Sequence, residues 1–75
     1  MRKEKHMKIS ARNVLSGKIA YIHPGTVNAI VGIDIGGGMI ITSTISMDAV
    51  QELGLIPDLP ASAIIKASSV MVSVE

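Results

Sequence analysis

Apolar and polar residues alternate along the middle of the chain in the way typical of β-strands. Over residues 26–35 one face carries Val27, Ala29, Val31, Ile33 and Ile35, and the other carries Thr26, Asn28, Ile30, Gly32 and Asp34. The segment "MIITSTIS" (39–46) alternates in the same way. Between the two, three glycines at 36–38 supply the positive φ angles of a tight turn. The pattern predicts a β-hairpin, preceded by a strand that starts at Ile19 and ends at the turn "HPGT".

The period changes after residue 46, where Met47, Val50 and Leu53 recur every three residues. Ser46 is a good N-cap, and Gly54 suits the position just past a helix end. We therefore predict a helix of about two turns, which is too short to be stable alone and must plug an opening in the sheet. The segment "IPDLP" is predicted to be a loop, and residues 61–75 are predicted to form a further strand with a bend at 66–69.

Short strands with one short helix predict a mainly β fold, a small OB-fold-like barrel. We expect residues 1–7 to form a flexible N-terminal extension and residues 8–75 to form a single domain. A chain of 75 residues buries only about 60% of its unfolded surface and is marginal alone. There is no cysteine to form a disulfide, while 48% of the residues are hydrophobic. Oligomerisation is the support that remains.

Composition also excludes several functions. A net charge of +1 and a single aromatic residue, Tyr21, argue against a nucleic-acid partner. Polar residues interrupt the longest uncharged run (19–33), so we predict no membrane span, and no apolar stretch follows the basic N-terminus as in a signal peptide. A cytoplasmic location follows. His6 and His23 lack metal-ligand spacing, and no nucleophile stands beside a base, which argues against an enzyme.

Two segments carry hydrogen-bond donors without acidic neighbours. One contains Ser10, Arg12 and Asn13, and the other is "KASS" at 66–69. Lys66 lies within an apolar run, where an unpaired ammonium is costly to bury. Its side chain either reaches out to solvent or meets an anion. Arg12 and Lys66 each have hydroxyl side chains nearby, and this favours the interpretation that they bind an anion.

Three segments together resemble a known family. "SARNVLSGKI" (10–19), "ITSTISMDAVQELGL" (41–55) and "AIIKASSVMV" (63–72), in this order and spacing, closely resemble the molbindins, or Mop domains. The resemblance runs from about Lys8 to Val74. It implies an OB-like barrel and a homohexamer built as a trimer of dimers. It also implies that molybdate and tungstate bind at subunit interfaces, for storage or homeostasis and without catalysis.

The resemblance also implies two sets of site residues. The interface set would bind the oxyanion through Ser10, Ala11, Arg12, Ser46, Lys66, Ala67 and Ser68. A weaker second set near a threefold axis would use Thr26, Val27 and Asn28, and Asn13 would be a structural brace. No residue would be a direct ligand of the metal, because molybdate is a tetrahedral dianion whose metal is saturated by oxygen. Such an anion needs donors and positive charge.

Two other functions stay open at this point. An OB-type module that binds nucleic acid or another polyanion would show steep salt dependence. An assembly domain with a decayed anion site is the third possibility, because Ala49 stands where the family often has serine.

Overall fold

The computed structural model describes residues 10–75, so the expected extension at 1–7 lies outside the described residues. Four strands and one α-helix follow one another along the chain: β1 (Asn13–Pro24), β2 (Asn28–Gly36), β3 (Met39–Ser46), α1 (Met47–Leu53) and β4 (Pro60–Ile65). A 3₁₀ turn at Ala67–Ser69 comes after β4.

The strands form one antiparallel sheet in the order β3-β2-β1-β4. The sheet curls far enough that β2 also contacts β4 across the concave face. The result is a half-barrel with one short helix, which confirms the mainly β, OB-like fold. Among the strands of residues 10–75, β3 and β4 are the two edges of the sheet, and the half-barrel is open between them.

The predicted β2–β3 hairpin and its inward face are confirmed. Gly36, Gly37 and Gly38 all have positive φ angles, as the turn requires. Ala29, Val31 and Ile33 are buried, and their core is completed by Ile19, Val50 and Ala63. Val27 precedes β2 and is 69% exposed, so the inward face begins at Ala29.

The helix also agrees with the sequence pattern. The Ser46 side chain accepts a hydrogen bond from the Ala49 N–H at 3.0 Å, and Gly54 ends the helix in the left-handed conformation. Val50 is the residue that α1 buries in the core. The following loop is tied to β1, because the N–H of Ile19 donates to the carbonyl of Leu59 at 2.9 Å.

Two strand predictions were wrong in extent. β1 begins at Asn13 and not at Ile19, because residues 13–18 pair with β4, a partner 40 or more residues away that local alternation does not reveal. The predicted C-terminal strand stops at Ile65: the bend is present as the 3₁₀ turn, but residues 70–75 have no regular structure. Met71, Val72 and Val74 of this segment are about nine-tenths exposed.

Residues 10–75 contain no helix with the length and apolar character needed to cross a membrane.

Candidate functional site

The two donor segments that are distant in sequence lie side by side at one end of the β1–β4 ladder. Asn13 pairs with Ile65 in the terminal rung. Arg12 immediately precedes that rung and Lys66 immediately follows it, so their Cα atoms lie at most about 13 Å apart. We call residues 10–12 and 66–68 together the β1–β4 donor group. It contains six of the seven residues predicted for the interface site.

The backbone of this group adds donors to those of the side chains. In the 3₁₀ turn the N–H groups of Ser69 and Val70 donate to the carbonyls of Lys66 and Ala67, at 2.9 and 3.2 Å. The preceding N–H groups, those of Ala67 and Ser68, take no part in these two bonds. Backbone N–H groups of this kind bind anions without any side-chain ordering.

The electrostatics of the group favour an anion. Between residues 10 and 75 the one ion pair is Lys18 with Asp58, at 3.7 Å. Neither Arg12 nor Lys66 has a carboxylate of these described residues within 4 Å. The described part of the group therefore offers two cations, two hydroxyls and backbone N–H groups, with no acidic side chain to compete for them.

Ser46 is the residue of the predicted set that the chain does not bring to this group. It pairs with Asn28 of β2, and the N–H of Met47 donates to the carbonyl of Val27 at 2.8 Å. Ser46 therefore lies with the predicted second set, and we call residues 26–28 and Ser46 the β2–β3 donor group. Its hydroxyl caps α1 by accepting a hydrogen bond, which leaves the hydroxyl hydrogen free to donate.

The two donor groups lie toward opposite ends of β1. Asn13 starts this strand of 12 residues, about 36 Å long if straight, and Pro24 at its other end pairs with Ala29, next to Asn28. Within the described sheet there is no pairing between β3, which ends at Ser46, and β4, which leads into Lys66.

One chain encloses neither donor group. Ser10, Arg12, Ser46, Lys66, Ala67 and Ser68 are all exposed, and Ala11 is half-buried. The cavity of about 180 Å³ on the concave face is apolar and is lined by core residues such as Val31 and Ile45. A second hollow beside Lys18 contains the Asp34 carboxylate, which is unsuited to a dianion. The donor groups therefore lie on the surface of the single chain.

The chain matches known proteins in sequence over most of its length. The family model described as the TOBE domain matches residues 9–72. A curated relative, "Probable molybdenum-pterin-binding protein" of Haemophilus influenzae, is 62% identical over 69 residues, which are 92% of this chain and all of that protein.

Two solved structures share both fold and sequence with this chain. MopII from Clostridium pasteurianum has a TM-score of 0.83 and 43% identity, and the match covers 89% of this chain and 100% of MopII. The cytoplasmic molybdate-binding protein ModG, solved with molybdate bound, has a TM-score of 0.78 and 49% identity over 81% of this chain and 43% of ModG.

Proposed function

The chain belongs to the TOBE-domain family and is a relative of the Mop proteins, and from that premise we propose that it binds the oxyanions molybdate and tungstate and catalyses no reaction. The single observation that supports this most strongly is the terminal rung of the β1–β4 ladder. It brings the segments that carry Ser10, Arg12, Lys66 and Ser68 to one end of the sheet, although more than 50 residues separate them in the chain. Donors of this kind without acidic neighbours suit a fully ionised oxyanion.

The same chemistry discriminates between anions. Hydrogen phosphate carries a proton that needs an acceptor, whereas molybdate at neutral pH needs only donors. A site without carboxylates leaves the phosphate proton unpaired, and an unpaired buried donor costs about 1–3 kcal/mol. We expect molybdate and tungstate to bind much more tightly than phosphate.

The described residues suit the free oxyanion better than a pterin-bound metal. A pterin ring is held most specifically by stacking on an aromatic side chain next to the donors. The one aromatic side chain of the chain, Tyr21, lies toward the other end of β1 and stacks on His23 with ring centroids 4.7 Å apart. The Haemophilus relative's name mentions a molybdenum pterin, so a pterin belongs among the ligands to be tested.

We propose that the complete site forms between subunits of a homo-oligomer, a hexamer built as a trimer of dimers. Two observations support this. Neither donor group is enclosed by the described residues of one chain, and Ser46 lies with the β2–β3 donor group and not with the β1–β4 donor group. The open gap between β3 and β4 and the exposed apolar segment 70–74 also leave each chain with surface that a second copy can cover.

The role we propose is storage or homeostasis of the oxyanion in the cytoplasm. ModG, which is described as a cytoplasmic molybdate-binding protein, supports this location. In such a role the protein holds the anion reversibly, which hydrogen bonds permit and covalent metal ligands would impede.

Titration calorimetry tests the proposed function against both alternatives. Molybdate, tungstate, sulfate, phosphate, a molybdenum pterin and a short oligonucleotide are titrated separately into the full chain. Tight binding of molybdate and tungstate with weak binding of phosphate supports the proposal. Salt-dependent binding of the oligonucleotide alone would indicate a polyanion module, and an assembled protein that binds none of the ligands would indicate a decayed site.

A further inference from the structure

Asn13 occupies a special place relative to the proposed site. It begins β1, is half-buried, and forms the terminal rung of the β1–β4 ladder with Ile65. The β1–β4 pairing ends at this rung. The segments that flank it, residues 10–12 before Asn13 and residues 66–68 after Ile65, form the β1–β4 donor group. The last rung of a ladder is also where strand pairing frays most readily.

A side-chain hydrogen bond reinforces this rung. Nδ2 of Asn13 donates to the carbonyl oxygen of Ile65 at 3.2 Å, across 52 residues of sequence. The acceptor is a carbonyl, so the side-chain atom that faces it must be the amide nitrogen. One of the two amide N–H bonds is thus committed to the backbone beside Lys66.

We infer that Asn13 is a positioning residue for the oxyanion site, and this rests on the proposed function. By tying Ile65 to β1, it holds Arg12 and Lys66 at one spacing before the anion arrives. Without the bond, the anion would have to order two frayed chain segments on binding, and that entropic cost would lower its affinity.

The variant that tests this is Asn13→Leu, which keeps the branched shape of the side chain, with larger terminal groups, and removes the donor. We expect molybdate to bind about three- to tenfold more weakly, the range for loss of one neutral hydrogen bond. The matched control is Thr42→Val, which removes a side-chain contact to the Tyr21 hydroxyl on the outer face of the sheet, away from both donor groups. The control should bind as wild type does.

A double-mutant cycle separates positioning from a general structural role. If Asn13 acts by placing Arg12 against Lys66, Asn13→Leu should weaken binding less in an Arg12→Ala background than in the wild type, because the spacing then matters less. If Asn13 only stabilises the fold, its effect should be the same in both backgrounds and should follow the melting temperature. Asn13→Ala replaces Asn13→Leu throughout if the leucine variant does not assemble.

The outcomes are distinguishable from those of the proposed function. Wild-type protein that fails to bind molybdate would overturn both ideas. Wild-type binding together with unchanged affinity in the Asn13 variants, or with an effect that is equal in both backgrounds, would overturn the positioning role alone.

Discussion

At the scale of single residues, Arg12 and Lys66 carry the charge of the proposed site. Each would contribute a charge-assisted hydrogen bond, so Arg12→Ala or Lys66→Ala should weaken molybdate binding about tenfold to a hundredfold. The melting temperature of the ligand-free protein should change little, because both side chains are exposed and neither has a carboxylate partner within residues 10–75. Calorimetry and thermal unfolding of each variant measure the two effects.

Lys18→Ala is the matched control for these two variants. It removes a cation of the same sheet that pairs with the Asp58 carboxylate at 3.7 Å, outside both donor groups. An exposed pair of this kind stabilises the protein by less than about 1 kcal/mol. Molybdate affinity that stays at the wild-type value in both Arg12→Ala and Lys66→Ala, with assembly retained, would contradict the proposed site.

At the scale of elements, Ser46 connects the helix to the proposed site. Ser46→Ala removes the cap of α1, and the free energy of unfolding should fall by about 1 kcal/mol. Ser46→Asp keeps a good cap, because a carboxylate accepts the same hydrogen bond and suits the positive end of the helix dipole. Its negative charge would repel a dianion, so we expect near-normal stability with strongly weakened molybdate binding.

Comparison of the two variants therefore separates the cap from the ligand role. Denaturant unfolding reports the first, and calorimetry reports the second. If Ser46→Asp binds molybdate as tightly as the wild type, Ser46 is a helix cap only and does not contact the anion.

At the scale of the whole molecule, segment 70–75 exposes apolar side chains and has no regular structure. Met71, Val72 and Val74 are about nine-tenths exposed. If a second copy covers this segment, deletion of residues 70–75 should reduce the assembled mass measured by native mass spectrometry and weaken molybdate binding with it. Ser73→Ala, which changes a hydroxyl in the same segment and leaves the apolar residues intact, should assemble normally.

The assembly prediction has two clear ways to fail. A full-length chain that is a stable monomer at micromolar concentration would contradict the proposed hexamer. A truncated chain with unchanged mass would show that residues 70–75 have no part in the contact between copies.

Local patterns in the sequence determined the elements whose determinants are close together in the chain. The β2–β3 hairpin follows from period-two alternation around three glycines, and α1 follows from a cap, a three-residue spacing and Gly54. The chemistry of the site was also visible locally, since "SARN" and "KASS" each show donors without acidic neighbours. Periodicity and capping act over a few residues, so the sequence displays them directly.

Only the tertiary structure decided which distant segments meet. It paired Asn13 with Ile65, which extends β1 and brings the two donor segments together. The same pairing lets the Asn13 side-chain amide donate a hydrogen bond to the Ile65 carbonyl. It also placed Ser46 in the β2–β3 donor group, and it shows that residues 70–75 are not in a strand. Strand register depends on hydrogen bonds between residues that are far apart in the chain, and local alternation leaves the choice of partner open. Contacts between strands therefore assemble the donor groups. Under the proposed function, contacts between chains complete the site.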